Sequence, residues 1–135
     1  MADRSFLIWP FFDDSHRVLA DKLDKWAQAN LSQLDHSDTD ATCHSLVQMM
    51  GDAGWLEHSA SENGIFDVRT LCLIRETLAR HDGLADFVFA MQGLGTAAIT
   101  LFGTQTQKAT WLMQTRSGRV ISAFALTEPQ SGSDV

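Results

Sequence analysis

Basic side chains are scarce in this sequence. Ten Lys and Arg stand against seventeen Asp and Glu, a formal net charge of −7. So acidic a chain offers no basic face to a polyanion, so nucleic acid and anionic membrane are not expected as partners. Cysteine is nearly absent. Cys43 and Cys72 are far apart and form no C-x-x-C pair, so they read as reduced, buried thiols in a cytoplasmic protein. There is no internal repeat, linker or low-complexity tract. The apolar run Phe6-Leu-Ile-Trp-Pro10-Phe-Phe12 resembles a signal-peptide core. It is short, interrupted by Pro10, followed by Asp13 and Asp14, and has no small-residue cleavage site.

What is present is an ordinary globular composition, 44% hydrophobic and 20% charged over 135 residues. One domain of that size buries roughly 65–70% of its unfolded surface. Four Trp and eight Phe suit a packed helical core or an apolar pocket.

The apolar spacing is helical along most of the chain. Leu19, Leu23, Trp26 and Ala27 predict a helix over about 12–30, with Pro10 as a first-turn residue, Asp13 and Asp14 at its positive end, and Asp21 and Lys25 as an exposed pair. A second helix over 39–53 turns Leu46, Val47 and Met50 inward and is ended by Gly51 and Gly54. A loop follows, anchored by Trp55, Leu56, Ile65 and Phe66. Asp67 caps a third helix with Val68, Leu71, Cys72, Ile74 and Leu78 on its apolar stripe, ending near His81-Asp82-Gly83. From Leu84 to Phe102 nearly every residue is apolar or small, which predicts a helix buried all round. Its length also suits a membrane span, but Asp86, Gln92, Gly93 and Gly95 favour a core helix. Thr104 and Gln107 form a capping box for a fifth helix, closed by Ser117-Gly118. Val120 to Leu126 reads as a short strand.

Three patterns imitate chemistry. Asp38-Thr-Asp40-Ala-Thr42 has the D-x-D-x-T spacing of an aspartyl nucleophile, but no hydrophobic strand precedes it. His36, Asp38, Asp40, Cys43 and His44 have no zinc-ligand spacing and read as loop and capping residues. Gly93-Leu-Gly95 fits a relaxed dinucleotide fingerprint but lacks the strand before it, so the glycines read as sites of close helix approach.

The last twelve residues are the most informative. After the apolar run come Thr127, Glu128 and Pro129, then a Ser-Gly-Ser turn in which Gly132 can take positive φ and hydroxyls and N–H groups can converge on an acceptor-rich ligand. Ala-Leu-Thr-Glu-Pro-x-x-Gly-Ser-Asp resembles the flavin-binding signature of acyl-CoA dehydrogenases, position by position at Thr127, Glu128, Pro129, Gly132, Ser133 and Asp134. Leu78-Ala-Arg80-His-Asp82 resembles that family's helix ending, and Phe102-Gly103-Thr104 with Gln107-Lys108 resembles its Gly-Thr-x-x-Gln-Lys turn. The three islands occur in the family's order.

The resemblance implies an all-α, N-terminal helical bundle domain over 1–118, with 119–135 as the first strand of a truncated β-domain. It implies FAD as cofactor, held by Phe124, Leu126, Thr127, Gly132 and Ser133. It implies an acyl-CoA substrate met by Ser133, with Phe87, Ala90, Met91 and Leu94 as one wall of the acyl pocket. The reaction would be α,β-dehydrogenation of a thioester, with an electron-transfer flavoprotein or another acceptor, in a homo-oligomer of the complete protein. Glu62-Asn63-Gly64 is a reduced version of the family's acidic, glycine-rich loop. The family's carboxylate base has no counterpart here, and no metal or catalytic residue is assigned. Alone, the chain is expected to be inactive. The alternatives are a helical interaction module and a related flavoenzyme such as an acyl-CoA oxidase.

Overall fold

The computed structural model describes residues 3–133; Asp134, the last residue of the signature, lies outside them with Val135. Five helices run in order: α1 Asp14–Asn30, α2 Thr39–Asp52, α3 Val68–His81, α4 Gly83–Phe102 and α5 Gln105–Arg116. Two 3-10 turns, Ser5–Ile8 and Trp55–His58, join the set. The class is all-α, as expected.

Side-chain caps fix where the helices start. Asp38 accepts from Ala41 N–H (3.0 Å), Asp67 from Arg69 N–H (3.0 Å) and Asp82 from Ala85 N–H (2.9 Å). Thr104 and Gln107 exchange bonds across the first turn of α5. Each satisfies a donor that the first helical turn leaves unpaired. Asp38, the first residue of the D-x-D-x-T pattern, is thus a cap. Asp82 alone joins α3 to α4, and His36 also bonds its carboxylate at 2.9 Å. The start of α1 differs from expectation. Pro10 sits outside the helix in a turn closed by Trp9 and Phe12, because His16 Nδ1 accepts from Asp13 N–H and begins the helix there. Asp21 pairs with Arg4 at 2.8 Å rather than with Lys25.

His16 is buried and connects two helix starts. With Nδ1 accepting from Asp13, its ring proton lies on Nε2 and donates to Asp67 at 2.9 Å. Burial pushes the Asp67 carboxyl up, but the bonds from His16 and Arg69 outweigh it and hold the group well below the usual carboxylate range. A depressed folded pKa gives stability that is present above the unfolded value, near 4, and is lost as pH falls toward the folded one. Asp67→Asn keeps a capping oxygen but removes the charge that His16 and Arg69 bond, and should therefore cost about 1 kcal/mol at neutral pH, the order of a net hydrogen bond. Urea midpoints of the two proteins should converge as pH falls below about 4. A pH-independent gap would remove the carboxylate from this role.

The core takes Leu23 and Ala27 from α1, Leu46, Val47 and Met50 from α2, Leu56 from the second turn, Ile74 and Leu78 from α3, and Val88 and Phe89 from α4. The predicted stripes of the first three helices point inward at these positions. Trp26 meets Trp55 edge to face at 6.0 Å. Ile65 and Val68 are exposed instead, because they precede the point where α3 turns its stripe inward. Cys72 is exposed as well, and Cys43 is half-buried. Cys72 borders a surface groove beside Phe11 and Phe12 rather than the core.

Helix α4 is not buried all round. Ala85, Val88, Phe89, Gln92, Thr96 and Thr100 face inward, while Phe87, Leu94 and Leu101 are exposed. By length and composition it could cross a bilayer, yet Asp86 and Gln92 have protein partners: Asp86 takes a two-pronged bond from Arg75 at 2.8 and 3.0 Å, and Gln92 bonds Val120 and Ser122. Two of its neighbours come extremely close. Gly95 lies against Ser122 and Ala123, where a Cβ would come within 2.7 Å of Ala123 N. Between α2 and the end of α5, a Cβ on Gly51 would lie 2.5 Å from Gly118 N. Gly118 itself has φ 71°, open to glycine and strained for other residues. Gly51 therefore lies inside α2 instead of ending it, and Gly54, with φ 80°, follows the helix.

Val120 to Leu126 forms no strand among the described residues. A strand needs a ladder partner, and the described chain supplies none. A turn from Glu128 to Ser131 follows, closed by Glu128 N–H to Ser131 O (2.9 Å) and Ser131 N–H to Glu128 O (3.2 Å), with Pro129 at its second position. The reversal thus comes one step before the Ser-Gly-Ser run, and Gly132 does not need positive φ.

Candidate functional site

The apolar character of α4 creates a groove on one of its faces. Ala90, Gly93, Leu94 and Ala97 recur at i, i+3, i+4 and i+7, which places them on one stripe. Phe66, Val68 and Leu71 lie opposite, and together they enclose about 330 Å³ with almost wholly apolar walls. Small residues at 90, 93 and 97 keep the floor low. Gly93 brings α4 close to Ser59, where a Cβ would stand 3.2 Å from the serine Cβ. Arg75 also borders the groove, but its guanidinium is engaged by Asp86. The cavity can accept an aliphatic chain and offers nothing to a charged one. Of the four residues assigned to an acyl wall, Ala90 and Leu94 line this groove. Phe87 is exposed, at 56%, and Met91 is half-buried; neither lines it.

A second feature is held against the same helix. Gln92, 1% exposed, donates from Nε2 to Val120 O at 3.0 Å and accepts at Oε1 from Ser122 N–H at 2.7 Å. Ser122 Oγ donates to Gln92 O at 2.9 Å. Beyond this clasp, Phe124 and Leu126 are about half exposed, and Thr127, Gly132 and Ser133 are exposed. Among the described residues, the hydroxyls of Thr127 and Ser133 and the N–H groups from Phe124 to Thr127 make no hydrogen bond, and a Cβ on Gly132 would meet nothing within 4 Å. Free donors beside open space suit an acceptor-rich planar ligand, so these residues fit a flavin. No described contact joins them directly to the groove; the clasp at Gln92 is the link.

The acidic side chains lie elsewhere. Glu76 pairs with Arg80 at 2.8 Å, and Glu128 sits in the turn beside Pro129. Glu62 pairs with Arg116, and Asn63 Oδ1 accepts from Ile65 N–H at 2.9 Å, so the short acidic loop is held to α5. Sequence reasoning missed the clasp. Its signal was available: Gln92, Thr96 and Thr100 form a polar row at four-residue spacing on an apolar helix.

Residues 13–119 match the family described as acyl-CoA dehydrogenase, N-terminal domain. A probable acyl-CoA dehydrogenase of Bacillus subtilis (strain 168) is 32% identical over 129 residues, which is 91% of this chain and 22% of that protein. The mitochondrial very long-chain specific acyl-CoA dehydrogenase of Homo sapiens is 45% identical over 60 residues, 44% of this chain and 9% of that protein. The short-chain specific acyl-CoA dehydrogenase of Megasphaera elsdenii is 39% identical over 69 residues, 50% of this chain and 18% of that protein. The chain thus spans less than a quarter of the length of each of these three relatives.

Proposed function

Because the chain belongs to the acyl-CoA dehydrogenase family, we propose that it forms part of an FAD-dependent enzyme that removes two hydrogens across the α,β bond of an acyl-CoA thioester. The observation that carries this reading is the placement, on one helix, of an apolar groove and a clasp holding a segment with free hydrogen-bond donors. Residues 1–118 are the helical domain, and 119–135 open the next domain, which the rest of a longer protein completes. FAD, when bound, supplies the hydride-accepting chemistry that side chains lack.

The chain's own residues bind and orient. Thr127 and Ser133 donate hydroxyls to polar atoms of the cofactor, with Gly132 leaving room for its approach. Phe124 and Leu126 present apolar surface to it. Ala90 and Leu94 line the path of the acyl chain, and Phe87 and Met91 flank it. Neither Glu76 nor Glu128 borders the groove, so the carboxylate base comes from the length of the relatives that this chain does not span. The flavin residues are exposed on one segment only, so the 135 residues by themselves hold FAD weakly at best and do not turn over. An electron-transfer flavoprotein or another acceptor, and a homo-oligomer, complete the proposal.

The test is a protein extended through any reading frame that continues beyond Val135. It should purify yellow and lose its flavin absorbance when an acyl-CoA is added without an acceptor. In that protein Ala90→Phe should fill the groove and lower kcat/KM for the longest accepted chains roughly tenfold or more relative to short ones. A colourless protein indifferent to acyl thioesters would favour the helical interaction module.

A further inference from the structure

We propose that Gln92 is a positioning residue that sets the flavin-contacting segment at a fixed height above the acyl groove. This rests on the function proposed above and adds the element that links its two halves. Val120 O and Ser122 N–H are the pair of backbone groups a neighbouring strand would engage, and the Gln92 side-chain amide engages both. Only one orientation of the amide satisfies the two bonds, since the carbonyl must accept and the NH2 must donate. The side chain is 1% exposed, so water does not compete for either bond. One helical turn away, Gly95 removes the obstacle: any Cβ there would stand 2.7 Å from Ser122 Cβ and from Ala123 N. Gln92 thus pulls the segment in and Gly95 admits it. Ala90, Gly93 and Leu94, the groove side of the same turn, are tied to Phe124 through a single amide and two residues of backbone.

This arrangement makes the distance between thioester and cofactor a property of α4. Misplacing reacting groups by about 1 Å can cost on the order of a hundredfold in rate. Gln92→Leu should therefore lower kcat of the full-length flavoprotein by roughly 10–100-fold, with KM for acyl-CoA changed little, because the groove is untouched. The flavin visible spectrum should shift with it, a readout that simple loss of helix stability would not move. Gly95→Ala provides a second route. It pushes the segment outward without altering the Gln92 amide and should reproduce both changes, and it carries the test if Gln92→Leu fails to fold. Amide exchange at Ser122 should accelerate in each variant. Wild-type kcat and flavin spectrum in both variants would overturn the positioning role while leaving the proposed function intact. A wild-type protein that binds no flavin would overturn both, and Ser122 protection in that protein would then mark the clasp as structural only.

Discussion

Replacing Gly51 by alanine should lower the stability of the fold by roughly 2–3 kcal/mol, at the upper end of what overpacking costs. Helix propensity argues the other way. Gly51 lies within α2, where alanine is worth about 1 kcal/mol more than glycine. Packing decides the sign. The added Cβ would come within 2.5 Å of Ser117 C and Gly118 N and 2.6 Å of Ser117 O. These are backbone atoms that cannot swing aside, and Gly118 is itself pressed against α2, where its own Cβ would stand 2.6 Å from Val47 O. Gly83 is the control. It opens α4 with nothing within 4 Å of the Cβ position, so Gly83→Ala should be neutral or stabilising by up to about 1 kcal/mol. Thermal melting should separate the two variants, with Gly51→Ala on the order of 5–10 °C below the parent. Equal melting temperatures for Gly51→Ala and the parent would mean that α2 and the α5 turn are not in this contact.

Phe89→Ala should have the largest effect of any single truncation on α4, about 3–5 kcal/mol. Phe89 is 1% exposed and packs in the main core while also walling the groove. Its removal deletes a large buried surface and joins a new void to an existing cavity. A domain of this class has only about 5–15 kcal/mol to lose. Phe89→Leu should cost less, because its branched chain still fills part of the space. Denaturant midpoints with an unchanged m-value would assign the loss to the folded state. A loss under about 1 kcal/mol would show that the neighbours collapse into the space, and that Phe89 does not hold the groove open.

The helices were legible because their signals are local. Asp38, Asp67, Asp82 and Thr104 sit at the helix starts and bond N–H groups two or three residues away, so a short window contains both partners. The stripes of α1 and α2 follow from spacing alone, and that of α3 does so at Leu71, Ile74 and Leu78 but not at Val68 or Cys72. What sequence could not supply were contacts between distant segments. His16 reaches Asp67 across 51 residues, and Ser122 reaches Gln92 across 30. The exposed half of α4 was misread for a related reason: apolar composition says that a face should be covered, not by what. The strand expected over Val120 to Leu126 failed likewise, since apolar residues favour a ladder but a ladder needs a second strand. Of the residues assigned to the acyl wall, Ala90 and Leu94 line the groove, whereas Phe87, three residues before Ala90 on the same stripe, and Met91 do not. Thr127 and Ser133 came from resemblance and are exposed.

The joint between α3 and α4 is a single residue, Asp82. An α-helix advances about 100° per residue, so inserting one residue at this joint would rotate α4 by more than a quarter turn about its axis. The groove stripe would swing away from Phe66 and Leu71, and Gln92 away from Val120, with every side chain still present. The spacing of this joint is therefore as much a part of the site as any residue that lines it, and variation in linker length is closed to this fold at that point.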